Sequence, residues 1–177
     1  MRLLLDTHIA LWAIADDPKL SAKARELIDD PANQIVISAA SIWEITIKHA
    51  LARGGPNDMP ISGPQALGYF INAGFELLDI SPLHAASVGT LPPVHADPFD
   101  RILVAQALAT PLRLLTHDPR VAAYSDPVIA VCPDRDDTGR QPRFGRHWDV
   151  PSRYLARFSG KAARIASAQH AAGRPQN

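Results

Sequence analysis

The feature that most constrains this chain is a recurring step from a short apolar run into a helix start. Arg2–Leu5 reads as an apolar strand ending at Asp6, with a helix beginning near His8–Ile14. Gln34–Ile37 (QIVI) is β-branched and reads as a buried strand, and Ser38 can cap a helix reaching about Ala52. Phe75–Ile80 and Leu112–Thr116 repeat the strand pattern, and Val128–Val131 forms a last one. Between them, Ser21–Asp30, Pro64–Ala73, Pro82–Gly89 and Pro98–Ala109 read as helices. Strands that alternate with helices over short connections pair in parallel, because each helix returns the chain to the same edge. The fold expected is a three-layer α/β/α domain with a mostly parallel central sheet.

The second constraint is where the acids fall. Asp6 closes LLLD, Glu44 lies in SAASIWEI, Asp97 and Asp100 open HADPFDRILVAQAL, and Asp118 closes RLLTHD. In an open parallel sheet, the strand C-termini and the helix starts that follow share one edge, where ligands bind. Carboxylates gathered there repel, at roughly 4 kcal/mol per close pair for an effective dielectric near 20. Proton uptake or a hard divalent cation relieves that cost.

Each acid has a competing structural explanation. Asp6 can cap the helix that follows it. Glu44 can pair with Lys48 at i,i+4 on a helix surface, where Ser41 shares their face. Asp97-Pro98 is a helix-start signature, with Asp100 at the third helical position, so Asp100 is the better ligand candidate of the two. Asp118-Pro119 suits an Asx-type turn, and Thr116 two residues earlier can hold a carboxylate. His8, His95 and His117 lie near the acids in sequence and read as hydrogen-bonded neighbours, since hard oxygen sites disfavour imidazole.

The combination is more specific than any member. LLLDTHIALWAI, SAASIWEITIKHALARG, LPPVHADPFDRILVAQAL and LLTHDPRVAAY, in that order, resemble the PIN-domain family, and within it the VapC-type toxin ribonucleases of bacterial toxin–antitoxin pairs. The resemblance spans residues 2 to about 131. It implies that Asp6, Glu44, Asp100 and Asp118 form the catalytic acidic quartet, with Asp97 an additional acid and Thr7, Ser38 and Thr116 supporting hydroxyls. It implies Mg²⁺, or Mn²⁺, held chiefly by Asp6 and Asp100 with Asp97 and Asp118, and endonucleolytic cleavage of RNA by a metal-activated water. It also implies a cognate antitoxin, docking on apolar surface around Ile9–Ile14 and Ile42–Ala50, and a homodimer. Lys48, Arg53, Arg101 and Arg120 are candidates for phosphate contacts, Arg101 equally for pairing with an acid.

Two other readings compete. A Mg²⁺-dependent phosphatase of the haloacid-dehalogenase kind also has an acid after its first strand, but it needs a second acid where this chain has His8. A catalytically inactive PIN-like partner-binding module would keep the fold without the chemistry. Bulk properties fit all three. The 177 residues, 46% hydrophobic and 20% charged, suit one globular domain with a sizeable core. The single cysteine, Cys132, excludes a disulfide framework and fits a cytoplasmic location. No secretory leader or membrane span is expected, since Asp6 and His8 interrupt the first apolar run.

Formal neutrality hides an asymmetry. Residues 1–132 hold 9 basic and 14 acidic side chains, residues 133–177 hold 9 and 4. The expected organisation is a nuclease-like domain over 1–132 and a basic extension over 133–177, largely loop, with a helix near 152–172. The aromatic–basic interleaving of that extension (Arg143-Phe144, Arg146-His147-Trp148, Arg153-Tyr154) suits contact with single-stranded RNA.

Overall fold

The computed structural model describes residues 1–55, 58–124 and 126–131. The basic extension, its expected helix near 152–172 and Cys132 lie outside the described residues.

Among the described residues, five strands form one parallel sheet: β1 (Arg2–Leu5), β2 (Gln34–Ser38), β3 (Glu76–Leu78), β4 (Arg113–Thr116) and β5 (Val128–Ala130). Their order is β3-β2-β1-β4-β5. The chain moves outward from β1 through β2 to β3, then crosses back to place β4 on the other side of β1. The direction reverses between β1 and β4, which opens a crevice at their C-terminal ends. The register pairs Leu4 with Val36 on one side and with Leu114 on the other.

Among the described residues, seven helices cover the sheet: α1 (Thr7–Ala15), α2 (Ala22–Asp29), α3 (Ala39–Ala50), α4 (Gly63–Asn72), α5 (Pro82–Ser87), α6 (Pro98–Ala109) and α7 (Pro119–Ala122). Side chains of a strand alternate between faces, so the apolar runs feed two separate cores. Leu3, Leu5, Ile35, Ile37 and Leu115 pack with α1, α2 and α4. Leu4, Val36 and Leu114 point the other way, into a core built with α6 through Leu103, Val104 and Ala107. This three-layer parallel arrangement is the one the sequence pattern predicts.

The helix starts follow from capping chemistry. Ser21 accepts from the Ala24 amide, Ser38 from the Ala40 amide and Asp97 from the Phe99 amide, so each fills an orphan donor of a first turn. Boundaries shift by a residue or two from those expected. Strand pairing stops β3 at Leu78, short of Ile80, because its partner β2 ends at Ser38. The helix expected over Pro82–Gly89 ends at Ser87 and tightens into a 3-10 turn at Val88–Thr90. Asp118-Pro119 opens the short helix α7, where the sequence suggests only a turn.

One expectation is overturned. Ile9, Ala10, Leu11, Ala13 and Ile14 are all buried in the first core, so α1 offers no apolar docking surface. A helix that is apolar on every side must be covered on every side, and α1 lies between the sheet and its neighbours. In α3, by contrast, Trp43 is 57% exposed and meets the ring edge of Phe99 at a centroid distance of 5.3 Å.

Leu4 lies on the central strand with no exposed surface. Leu4→Ala removes a side chain that the packed layers cannot replace. It is expected to cost about 2–5 kcal/mol in urea unfolding with the m-value unchanged.

Candidate active site

The crevice beside β1 and β4 collects the acids. Asp6 follows β1 directly and is 3% exposed. Its Oδ1 accepts from the His8 amide at 2.9 Å, capping α1, and its Oδ2 accepts from the Thr116 hydroxyl at 2.7 Å. Thr116 ends β4, and its hydroxyl also accepts from the Asp118 amide at 3.1 Å. One side chain thus ties the end of β1 to the turn that carries Asp118. His117 Nδ1 lies 3.6 Å from Asp6 Oδ2, and His8 Nδ1 lies 3.8 Å from Oδ1. Burial pushes the Asp6 carboxyl up, but His117 and His8 outweigh burial and hold it well below the usual carboxylate range.

Glu44 enters from α3. It is 4% exposed and Ser41 beside it is fully buried, while Lys48 on the same face reaches toward solvent. The pair with Lys48 exists, yet it is not the surface pair that spacing alone suggests. Burial pushes the Lys48 ammonium down, but Glu44 first, then Asp97 and Asp100, hold it above the ordinary lysine range. Lys48 is therefore a built-in cation beside the acids. His8 is raised in a similar way: burial opposes its charge, and Asp6 and Glu44 more than compensate.

The first turn of α6 supplies the other pair. Asp97 uses Oδ1 to cap the helix, at 2.8 Å from the Phe99 amide. Asp100 makes no such bond among the described residues. Burial pushes its carboxyl up, the negative charges of Asp6, Asp97 and Glu44 add to that, and His95 opposes them. The balance leaves it at about 7. Asp118 caps α7 with Oδ1 and presents Oδ2 to His95. Ligand atoms of His95, Asp100 and Asp118 lie within 4.8 Å of one another.

Asp100 thus lies within Coulomb range of Asp6, Asp97 and Glu44, and His95 links it to Asp118. Thr116 holds Asp6, and Ser38 is spent on capping α3. Thr7 is 1% exposed, and its hydroxyl has no hydrogen-bond partner among the described residues. Of the basic candidates, Arg53 and Arg120 are exposed. Arg101 meets neither expectation for it: its guanidinium donates to the carbonyls of Val88, Leu91, Pro92 and His95. A fork of five donors is better satisfied by converging carbonyls of a loop than by one carboxylate. Sequence reasoning missed how closely His95 joins Asp100 to Asp118; its position two residues before the α6 cap was the available signal.

The family model described as "PIN domain" matches residues 3–127. The Ribonuclease VapC22 of Mycobacterium tuberculosis (strain ATCC 25618 / H37Rv) is 29% identical over 126 residues, 71% of this chain and 93% of that protein. A solved structure of VapBC2 from Rickettsia felis, bound to a DNA fragment from its promoter, superposes with a TM-score of 0.53 at 19% identity. It covers 76% of this chain and 100% of the matched chain. At that identity the likeness speaks to the fold.

The electrostatics set a pH dependence. Asp100 in the folded chain keeps its proton to about 7, against 3.8 ordinarily, so the folded state binds more protons than the unfolded across that interval. Stability then falls as pH rises through it. His8, raised above 6.5, continues the fall at higher pH. Asp6, lowered, contributes fully throughout and is lost only on acidification below its ordinary range. The melting temperature of the cation-free protein is expected to decline from about pH 5 to about pH 8. Asp100→Asn removes the repelled charge, flattens that decline and raises the melting temperature at about pH 8 by a few degrees. Scanning calorimetry of both proteins in EDTA checks this; a wild-type curve that rises with pH contradicts it.

Proposed function

Because the chain belongs to the PIN-domain family, we propose that it is a divalent-cation-dependent endoribonuclease, the toxin of a toxin–antitoxin pair. One observation carries the reading: Asp100 is buried within Coulomb range of Asp6, Asp97 and Glu44, and burial together with those like charges lifts its carboxyl to about 7. Nothing in a structural role rewards that cost.

The residues fit a hard cation. The donors are carboxylate oxygens, the set that Mg²⁺ and Mn²⁺ prefer. The buried Thr7 hydroxyl beside Asp6 lacks a protein partner among the described residues, as a group reserved for a bound ion or its water would. Asp6 and Asp100 are the principal ligands in this proposal, with Asp97 and Asp118 beside them. When bound, the cation would screen the phosphodiester's charge and lower the barrier to attack by water.

The chain's own groups do the rest. Thr116 keeps one Asp6 oxygen aimed into the crevice. Glu44, paired with Lys48, accepts a proton from the attacking water. Arg120, next to Asp118, and Arg53 offer exposed charge to the RNA backbone. The nuclease unit is residues 1–132, and the basic segment 133–177 adds affinity for RNA. The VapBC complex among the solved relatives supports a cognate antitoxin, which we place on α3 around the exposed Trp43. A homodimer and a cytoplasmic location accompany the same reading. Among the described residues, no helix is long and apolar enough to cross a membrane.

The test uses the full chain and labelled single-stranded RNA. Cleavage is expected with Mg²⁺ or Mn²⁺ and none in EDTA. Asp6→Asn and Asp100→Asn are each expected to lower the rate at least about a thousandfold, the several kcal/mol that a lost ligand is worth. Cleavage that survives EDTA, or both substitutions, sinks the mechanism. Release of phosphate from a monoester without RNA cleavage points to the phosphatase reading. Antitoxin binding without any cleavage points to an inactive module.

A further inference from the structure

His95 is 9% exposed and sits between two of the acids. Its Nδ1 lies 3.3 Å from Asp100 Oδ2, and its Nε2 lies 3.4 Å from Asp118 Oδ2. Taken alone, the three side chains resemble a mixed nitrogen–oxygen metal site. The ring's remaining contact argues otherwise. The Asp97 amide N–H donates to Nδ1 at 3.1 Å. A backbone amide can only donate, so Nδ1 is an acceptor and the proton of the neutral ring sits on Nε2. A protonated Nε2 has no lone pair for a metal, and it faces Asp118.

The backbone of His95 is held as firmly as its ring. Its amide donates to the Tyr124 hydroxyl at 3.2 Å, and its carbonyl accepts from Arg101 at 3.3 Å. Arg101 also donates to the Tyr124 hydroxyl, at 3.1 Å, and that hydroxyl donates to the Pro92 carbonyl at 3.0 Å. The Arg101 clamp thus fixes the loop before α6, and the loop fixes the imidazole.

We propose that His95 is a positioning residue: through Nε2–H it holds Asp118 Oδ2 in the crevice, while its Nδ1, accepting from the Asp97 amide, donates no hydrogen bond to Asp100, so that both carboxylates meet one divalent cation. The proposal rests on the metal-dependent nuclease reading and extends it to a residue outside the acidic set. The asymmetry is its content. Asp118 is oriented by a hydrogen bond from the ring, whereas Asp100 receives none and keeps its oxygens for the ion. Such outer partners of a ligand are typically worth about 10- to 100-fold in metal affinity.

The experiment measures Mn²⁺ affinity by electron paramagnetic resonance and Mg²⁺ affinity by calorimetry, on the full chain with folding checked by circular dichroism. His95→Leu is expected to weaken both ions about tenfold and equally, since no nitrogen ligand is lost. His95→Gln, whose amide reaches the Nε2 position, is expected to restore most of the affinity. His95→Asn can still accept from the Asp97 amide but falls short of Asp118; it should fold normally and fail to restore affinity. Nitrogen-15 spectra of the wild-type histidines are expected to show an unprotonated Nδ1 at His95 with and without Mg²⁺. A proton moving to Nδ1 when the ion binds, or a loss confined to Mn²⁺, makes His95 a direct ligand and overturns the proposal. If Asp100→Asn and Asp118→Asn weaken the ions but His95→Leu does not, the positioning role alone falls. If the two acids do not matter either, the nuclease reading falls with it.

Discussion

Everything at the functional edge depends on the crossing of the chain from β3 back to β4. That crossing places two strand C-termini, those of β1 and β4, side by side and turned the same way. Parallel pairing is what makes this possible, since every strand delivers its following residue to one rim. The acids of α3 and α6 reach the same rim because each of those helices begins there, one directly after β2 and one packed on the second core. Like charge is thus concentrated by topology, and the sheet's two apolar cores supply the stability that tolerates it.

The carboxylates serve structure and site at once. Capping and function look like rival explanations for Asp6, Asp97 and Asp118 when each is read alone. A carboxylate has two oxygens, and here the labour is divided between them. Asp6 and Asp118 each give Oδ1 to a backbone amide, leaving Oδ2 with Thr116 and His95 respectively. Asp97 likewise spends Oδ1 on the Phe99 amide. Capping fixes each carboxylate's position relative to its helix, so the site is organised before any ion arrives. Asp100 is the exception. It has no backbone amide to satisfy, and burial among negative neighbours leaves it the acid most in need of a counter-ion.

Much of this was legible from the chain alone, for reasons that differ by residue. Apolar runs and cap residues are local signals, so β1, β2, α3 and α6 emerge close to their observed limits. The acids stood out because a charge at the end of an apolar strand is conspicuous, and the order of the motifs pointed to their assembly. Arg101 and His95 were not legible. Whether a guanidinium meets phosphate, carboxylate or carbonyls depends on a loop folding over it, and whether an imidazole touches two acids depends on β4 lying beside α6. The burial of α1 was likewise missed, because an apolar helix looks the same in sequence whether it faces a partner or its own core.

The sequence by itself determined the alternation of strand and helix, the two-sided burial of the sheet, the caps, and the identity of the acids. These follow from hydrophobic period and side-chain chemistry acting within a few residues. Tertiary structure decided the rest: the reversal between β1 and β4, the Thr116 bridge to Asp6, the burial of Glu44, and the contact of His95 with Asp118. Each requires groups far apart in the chain to meet at hydrogen-bond or Coulomb range, 110 residues apart for Thr116 and Asp6. Interactions so short-ranged exist only after the fold has brought their partners together.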